Sequence, residues 1–120
     1  MQLERGRRWE AAAAEYLERQ RLTVLTRGYR CRLGELDLVC RDGGMLIIVE
    51  VRARATSAYG SAVSTIGPRK RARIVQATRH FLMRHPEWST ARVRFDVVTF
   101  DAIETATPAI CWIRNAFDAS

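Results

Sequence analysis

Two apolar runs on either side of Asp42-Gly43-Gly44 restrict the folds open to this chain more than any other part of its sequence. The first run covers residues 35–40 and the second covers residues 45–52. An Asp-Gly pair between apolar runs is a strong signal for a β-hairpin. Residues 45–49 are apolar without interruption, which is typical of a buried strand. The chain is therefore expected to fold around a sheet whose third strand is mostly covered.

The remaining elements predict an α/β protein. Residues 6–20 hold four consecutive alanines among good helix formers and predict a first helix. Pro68 opens a second helix, which is expected to reach about residue 85, where Pro86 stops it. Further strands are expected at residues 22–33 with a break near Gly28, at 93–100 and at 110–113, and a loop is expected at 55–67. The order α-β-β-β-α-β-β predicts a mixed sheet with helices packed on it, in a single domain over residues 1–120.

Several classes of protein are disfavoured. No apolar run approaches the ~20 residues that a membrane span needs, and the first residues do not read as a secretory signal. The three cysteines, Cys31, Cys40 and Cys111, are odd in number and lack Cys-x-x-Cys spacing, which argues against a disulfide framework or a zinc site. We expect reduced thiols, a cytoplasmic location and no membrane association.

Positive charge is concentrated in the middle of the chain. The net charge is +7, and residues 52–94 hold ten basic side chains and one acidic side chain, a local charge of +9. Such a segment is an electrostatic footprint for nucleic acid, because neutralising phosphates releases condensed counterions. The predicted nucleic-acid-binding residues are Arg54, Arg69, Lys70, Arg71 and Arg73. The alternative is a solubilising surface in an arginine-rich protein, since nineteen of the twenty cations are arginine.

The hairpin also carries a candidate pair of carboxylates, Asp37 and Glu50. If Gly43 and Gly44 are the turn residues, Asp37 lies directly opposite Glu50, whereas an Asp42-Gly43 turn makes the two meet diagonally on one face. Only a three-residue loop without a compensating bulge would separate them. Facing carboxylates repel, so the arrangement calls for a cation such as Mg²⁺ between them. The alternative is that Asp37 lies in water at a strand end and Glu50 pairs with Arg52 or Arg30.

Three motifs resemble those of the YraN-like family of small bacterial proteins, and the similarity extends over nearly the whole chain. The motifs are Gly34-Glu35-Leu36-Asp37-Leu38-Val39, Val49-Glu50-Val51-Arg52-Ala53-Arg54 and Gly67-Pro68-Arg69-Lys70-Arg71. That family in turn resembles the archaeal Holliday-junction resolvases and the PD-(D/E)XK nucleases, which implies a restriction-endonuclease-like core. The resemblance makes Asp37 and Glu50 metal ligands, makes Glu10 a third, helix-borne acidic ligand, and makes Arg52 the terminal cation of the motif.

The resemblance implies a Mg²⁺-dependent endonuclease that hydrolyses DNA, including branched or otherwise structured DNA, and it suggests a homodimer. Arg52 stands where the superfamily has lysine, and arginine cannot act as a base because its pKa is too high. Arg52 is therefore expected to orient water or to neutralise charge on the phosphate. The alternative function is a nucleic-acid-binding module without catalysis.

Overall fold

The computed structural model of the protein describes residues 2–55, 66–101 and 105–119. These residues contain two α-helices and five strands in the predicted order. The bounds are α1 Gln2–Arg19, β1 Thr23–Cys31, β2 Gly34–Asp42, β3 Met45–Arg54, α2 Pro68–Arg84, β4 Val93–Asp101 and β5 Ala109–Phe117, with a short 3-10 helix at Pro86–Trp88. Most of the loop predicted at 55–67 lies outside the described residues.

The strands form one mixed sheet in the order β1-β2-β3-β4-β5. β1, β2 and β3 form an antiparallel meander, β3 and β4 run parallel, and β5 returns antiparallel to β4. A parallel pair needs a long crossover connection, and α2 lies within it. In the described ranges, no helix has both the length and the apolar character needed to cross a membrane.

The two helices cover opposite faces of the sheet, and β3 contributes to both cores. Leu17 of α1 belongs to one core cluster together with Ile47 of β3. Ile74 of α2 belongs to the other cluster together with Ile48 of β3. Because successive strand residues point to opposite faces, Glu50 shares the α2 face with Ile48. The α/β class, the mixed sheet with helices packed on it and the covered third strand are therefore confirmed.

Three boundaries differ from those expected. β1 runs through Gly28 without a break, because Gly28 takes a φ of +67° while its neighbours keep their pairing with β2. The irregularity in β1 lies instead between Val24 and Thr26, where the register shifts. α1 begins at Gln2 rather than at Gly6, since a single glycine does not end a helix. β5 extends over Ala109–Phe117 and not only over residues 110–113.

A buried acidic residue that the sequence did not single out explains the length of β5. Asp96 of β4 is 0% exposed and lies where the register between β4 and β5 shifts. Its carboxylate accepts hydrogen bonds from Arg94 at 2.8 Å, from Trp112 Nε1 at 2.9 Å and from the backbone N–H of Asn115 at 2.9 Å. These bonds compensate for the disrupted ladder and hold β5 on the sheet.

Candidate active site

The hairpin of β2 and β3 opens at Asp37 and Glu50. Backbone pairing begins with Asp42 opposite Met45 at the turn and ends one pair before the two acidic residues. Gly43 and Gly44 are therefore the turn residues, and Gly43 takes a φ of +59°, which glycine adopts readily. Of the two predicted registers, the one that places Asp37 directly opposite Glu50 is the one observed.

Where the backbone hydrogen bonds between β2 and β3 end, the two carboxylates accept hydrogen bonds from backbone N–H groups instead. Asp37 Oδ2 accepts a hydrogen bond from the N–H of Val51 at 2.9 Å. Glu50 Oε2 accepts one from the N–H of Asp37 at 3.4 Å. Each acid thus binds the backbone of the opposite strand, and the two strands can separate without leaving these N–H groups unpaired. The carboxylates are fixed at the opening by the strands that carry them.

The start of β2 turns toward α2 at the same point. Leu36 belongs to the core cluster on the α2 face, whereas Leu38, two residues later, belongs to the cluster on the α1 face. Regular alternation would place both on one face, so it is interrupted at Asp37. Gly34 makes this approach possible, because a Cβ there would lie 2.9 Å from the backbone oxygen of Arg73 in α2.

Glu50 is a buried carboxylate whose charge is incompletely compensated. It is 1% exposed, and its Oε1 has no hydrogen-bond partner among the described residues. Burial, followed by the neighbouring negative charge of Asp37, raises the pKa of Glu50 to about 8. Lys70, the Asp37 N–H and Arg52 act in the opposite direction. A buried acid of this kind is typical of a functional site, because structural carboxylates are normally satisfied.

Asp37 lies beside Glu50, and its carboxylate accepts a shorter hydrogen bond from the backbone, 2.9 Å against 3.4 Å. Burial raises its pKa as well, and the charge of Glu35 adds to this effect. The hydrogen bond from Val51 N–H and the charges of Lys70 and Arg52 lower the pKa of Asp37 in part. Two adjacent acids with raised pKa values form a centre that favours a proton or a cation.

Lys70 contributes to this centre, which sequence reasoning missed by assigning it only to nucleic-acid binding. Its Nζ lies 3.8 Å from Glu50 Oε1, an ion pair too long for a hydrogen bond. It is the sole lysine among the twenty basic side chains. This single lysine was a signal in the sequence that could have indicated a special role. In a chain whose other cations are arginines, the one compact ammonium group lies at the position that reaches the acidic pair.

Arg52 lies two residues after Glu50 on β3, opposite Thr99 of β4. It is half-buried, and its Nε has no hydrogen-bond partner in the described part of the chain. Its charge lowers the pKa of Asp37 and of Glu50. A buried guanidinium N–H without a partner fits a position prepared to bind an oxygen atom from outside the chain.

Glu10 lies near the pair but does not join it. Its Oε1 is 3.7 Å from where a Cβ on Gly28 would lie, on the α1 side of β1. Burial and then the charge of Asp37 raise the pKa of Glu10. Within the described residues, no group of three or more acidic, histidine or cysteine side chains is close enough to hold a metal ion. The structure therefore unites Asp37 and Glu50 and leaves Glu10 at the edge.

The predicted phosphate-binding arginines differ in their surroundings. Arg54 forms an ion pair with Asp101 in which Nε and Oδ1 are 2.8 Å apart. Arg71 donates from Nε to the oxygen of Ile66 at 2.8 Å, and its guanidinium lies 5.3 Å from the centre of the Phe117 ring. Arg69 and Arg73 are exposed on the first turns of α2. The roles of these side chains toward nucleic acid stay predictions.

The fold and the site together define an α/β protein in which a buried carboxylate, Glu50, faces a half-buried one, Asp37, at an open hairpin. Its sequence matches the model of the Uncharacterised protein family UPF0102 over residues 9–100, and the chain belongs to that family. The matched region contains the acidic pair, Lys70 and both helices apart from the first residues of α1. UPF0102 is the YraN-like family, so the resemblance seen in the three sequence motifs is confirmed.

Relatives in several bacteria are similar over nearly their full length. A UPF0102 protein of Ectopseudomonas mendocina is 46% identical over 114 residues, which are 95% of this chain and 94% of that protein. One from Pseudomonas aeruginosa is 43% identical over 117 residues, 97% of this chain and 94% of the relative. One from Legionella pneumophila is 36% identical over 119 residues, 99% of this chain and 98% of the relative.

Proposed function

We propose that this protein is a metal-dependent endonuclease that hydrolyses phosphodiester bonds in DNA, with Asp37 and Glu50 as the ligands of a Mg²⁺ ion. The observation that carries the proposal is the state of Glu50: a carboxylate that is 1% exposed, faces a second carboxylate and has an Oε1 without a hydrogen-bond partner. Burying one carboxylate against a second, half-buried one is costly unless a cation binds between them.

The donor atoms fit a hard divalent cation. Asp37 Oδ2 and Glu50 Oε2 accept hydrogen bonds from backbone N–H groups, whereas the buried Glu50 Oε1 has no hydrogen-bond partner among the described residues and lies 3.8 Å from Lys70 Nζ. Mg²⁺ is commonly held by one or two carboxylates, with water and substrate phosphate completing its coordination. When bound, such an ion lowers the pKa of a coordinated water and supplies positive charge to the phosphate.

The side chains of this protein would supply orientation and charge. Asp37 and Glu50 are held in place by the opposite strands, so the site is organised before substrate arrives. Arg52 and Lys70 bring two positive charges to the same centre, where negative charge develops on the phosphate during hydrolysis. Arg52 remains protonated throughout, so its contribution is electrostatic and positional.

A second candidate is a nucleic-acid-binding module without catalysis. It is favoured by the position of Glu10, because within the described residues the acidic pair has no third carboxylate close enough to share a metal ion. In this alternative Lys70 and Arg52 balance the charge of the pair, and the cations of residues 52–94 bind the phosphates. The proposed cytoplasmic location and homodimer apply equally to both candidates.

The two candidates are separated by Asp37→Asn with Asp42→Asn as its matched control. Both changes remove one negative charge, but Asp42 is exposed at the hairpin turn. Endonuclease activity predicts that Mg²⁺ raises the melting temperature of the wild type and of Asp42→Asn, and that both cut branched DNA only with Mg²⁺. Asp37→Asn should lose both responses and, without metal, be more stable than the wild type by about 1 kcal/mol.

The proposal is wrong if the wild type shows neither a thermal response to millimolar Mg²⁺ nor cleavage. DNA binding that is equal in the wild type and in Asp37→Asn, with no cleavage and no thermal response to Mg²⁺ in either protein, would establish the binding module. A thermal response without cleavage would retain the metal site and remove the catalytic role.

A further inference from the structure

The geometry points to a second nucleic-acid-binding surface on the opposite side of the acidic pair, formed by the start of α1 and by β1, so that a phosphodiester backbone passes across the site and is held on both sides. This inference rests on the proposed function. It concerns Arg7, Arg27 and Arg30, which lie outside the basic segment of residues 52–94. We call the surface made by these three residues the β1 flank.

Two open cavities lie side by side next to the site. The larger, about 660 Å³, is lined by the three arginines of the β1 flank together with Glu10 and Glu35. The smaller, about 430 Å³, is lined by Lys70 and Arg73 of α2 and by Arg32 of the β1–β2 connection. Both cavities share Arg30 and Glu35, whose side chains form an ion pair at 3.3 Å. The cavities are therefore neighbouring parts of one depression, divided by this pair.

Residues that line each of the two parts interact with the acidic pair. Lys70, which lines the smaller cavity, reaches Glu50 at 3.8 Å. Glu10, which lines the larger cavity, is close enough to Asp37 for the charge of Asp37 to raise its pKa. Glu35, at the division, raises the pKa of Asp37 in the same way. A chain of phosphates that reaches from α2 to α1 would thus pass the pair.

The cations of the β1 flank are placed to contact such a chain. Arg7 and Arg27 are exposed, and in the described part of the chain neither takes part in an ion pair or a side-chain hydrogen bond. Glu10 is half-buried against Gly28, and Glu35 is occupied by Arg30. Because the charges of Arg27 and Arg30 also act on Glu10, the lining of the larger cavity as a whole carries three positive and two negative side chains, a net charge of +1. Like charges close together repel unless a polyanion neutralises them.

The Arg30–Glu35 pair is suited to open when a phosphate arrives. The side chains are 69% and 49% exposed, so the pair contributes little to stability. Arginine binds phosphate with two parallel hydrogen bonds, which is a stronger interaction than an exposed ion pair. If Arg30 exchanged Glu35 for a phosphate of the nucleic acid, one phosphodiester backbone could run across both cavities.

The test compares two double variants in binding of a fluorescent DNA duplex of about 20 base pairs, measured by anisotropy without divalent metal over a series of salt concentrations. Arg7→Gln with Arg27→Gln removes two charges from the β1 flank. Arg19→Gln with Arg21→Gln removes two exposed charges that lie outside both cavities and outside the basic segment of residues 52–94, and it is the matched control. Loss of two phosphate contacts should reduce the slope of log affinity against log salt by about 1.8, and the control should keep the wild-type slope.

An unchanged slope in the flank variant would overturn the inference, and so would an equal reduction in both variants, because that would reflect net charge alone. These binding results do not depend on cleavage, so they remain decisive if the proposed function fails. Cutting of a covalently closed DNA circle with Mg²⁺ is the additional expectation when both hold. Degradation of linear DNA alone, from its ends, would contradict a backbone that continues on both sides of the site.

Discussion

Glu50 should make the metal-free protein less stable at alkaline pH than at mildly acidic pH. Burial and the charge of Asp37 raise its pKa from the ordinary 4.5 to about 8 in the native state. The native state therefore keeps a proton that the unfolded chain has already released. Stability falls as the pH rises above the unfolded pKa, and it levels off once the pH passes the native pKa.

The size of this loss of stability follows from the difference between the pKa of Glu50 in the unfolded and native states. Each pH unit within this window costs about 1.4 kcal/mol, so the difference between about pH 5.5 and about pH 8 is roughly 3 kcal/mol. For a domain of this size, that corresponds to a change in melting temperature of about 10 °C. Glu50→Gln keeps an oxygen that can accept the N–H of Asp37 but cannot ionise, so it should lose this part of the pH dependence.

The assay is scanning calorimetry of both proteins across that range in the presence of a chelator. Glu15→Gln makes the same chemical change at an exposed position of α1 and should follow the wild-type curve. The histidines and the acids other than the substituted residue are common to all three proteins, so the difference between curves reports the titration of Glu50 together with its effect on Asp37. Parallel curves for the wild type and Glu50→Gln would show that burial does not raise the pKa of Glu50 and that its carboxyl is ionised at neutral pH.

Two further changes test the packing that positions the site. Gly34→Ala would bring a Cβ to 2.9 Å from the backbone oxygen of Arg73 and should cost about 1–3 kcal/mol in denaturant unfolding, whereas Gly44→Ala, with no atom within 4 Å, should be nearly neutral. Equal stability of the two variants would contradict the close approach of β2 to α2. Asp96→Asn breaks the buried pair with Arg94 and should cost about 3–5 kcal/mol; a loss below 1 kcal/mol would mean that the remaining hydrogen bonds suffice.

The elements and the acidic pair were accessible from sequence because their signals are local. The Asp-Gly-Gly turn narrowed the hairpin to two registers, and both placed Asp37 and Glu50 on one face. The choice between the two depended on the backbone conformation of Gly43, which residue type alone does not determine. A continuous β1 was missed because a glycine with positive φ inside a strand has the same sequence signature as a break.

The partners of the pair were not accessible in the same way. Lys70 reaches Glu50 only because α2 packs on the sheet face where Glu50 lies, which is a tertiary relationship between residues far apart in sequence. Leu36 and Leu38 look equivalent under a two-residue period, and the interruption at Asp37 arises from side-chain bonds across the opened strands. The sequence alone suggested that Arg54 and Arg71 are available to bind phosphate. Their contacts with Asp101 and Phe117 could not be predicted, because those residues are distant in the chain.

The contact between Lys70 and Glu50 also affects how this protein can be modified. Because the chain has a single lysine, its ε-amino chemistry is confined to one place, and that place is the acidic pair. Acylation of Lys70 would remove its positive charge and leave Glu50 without its nearest cation. Apart from the α-amino group, amine-reactive reagents would report on the same position, since arginine does not react as an amine. Any lysine acylation found on this protein in cells would therefore be a change to its site and not to its surface.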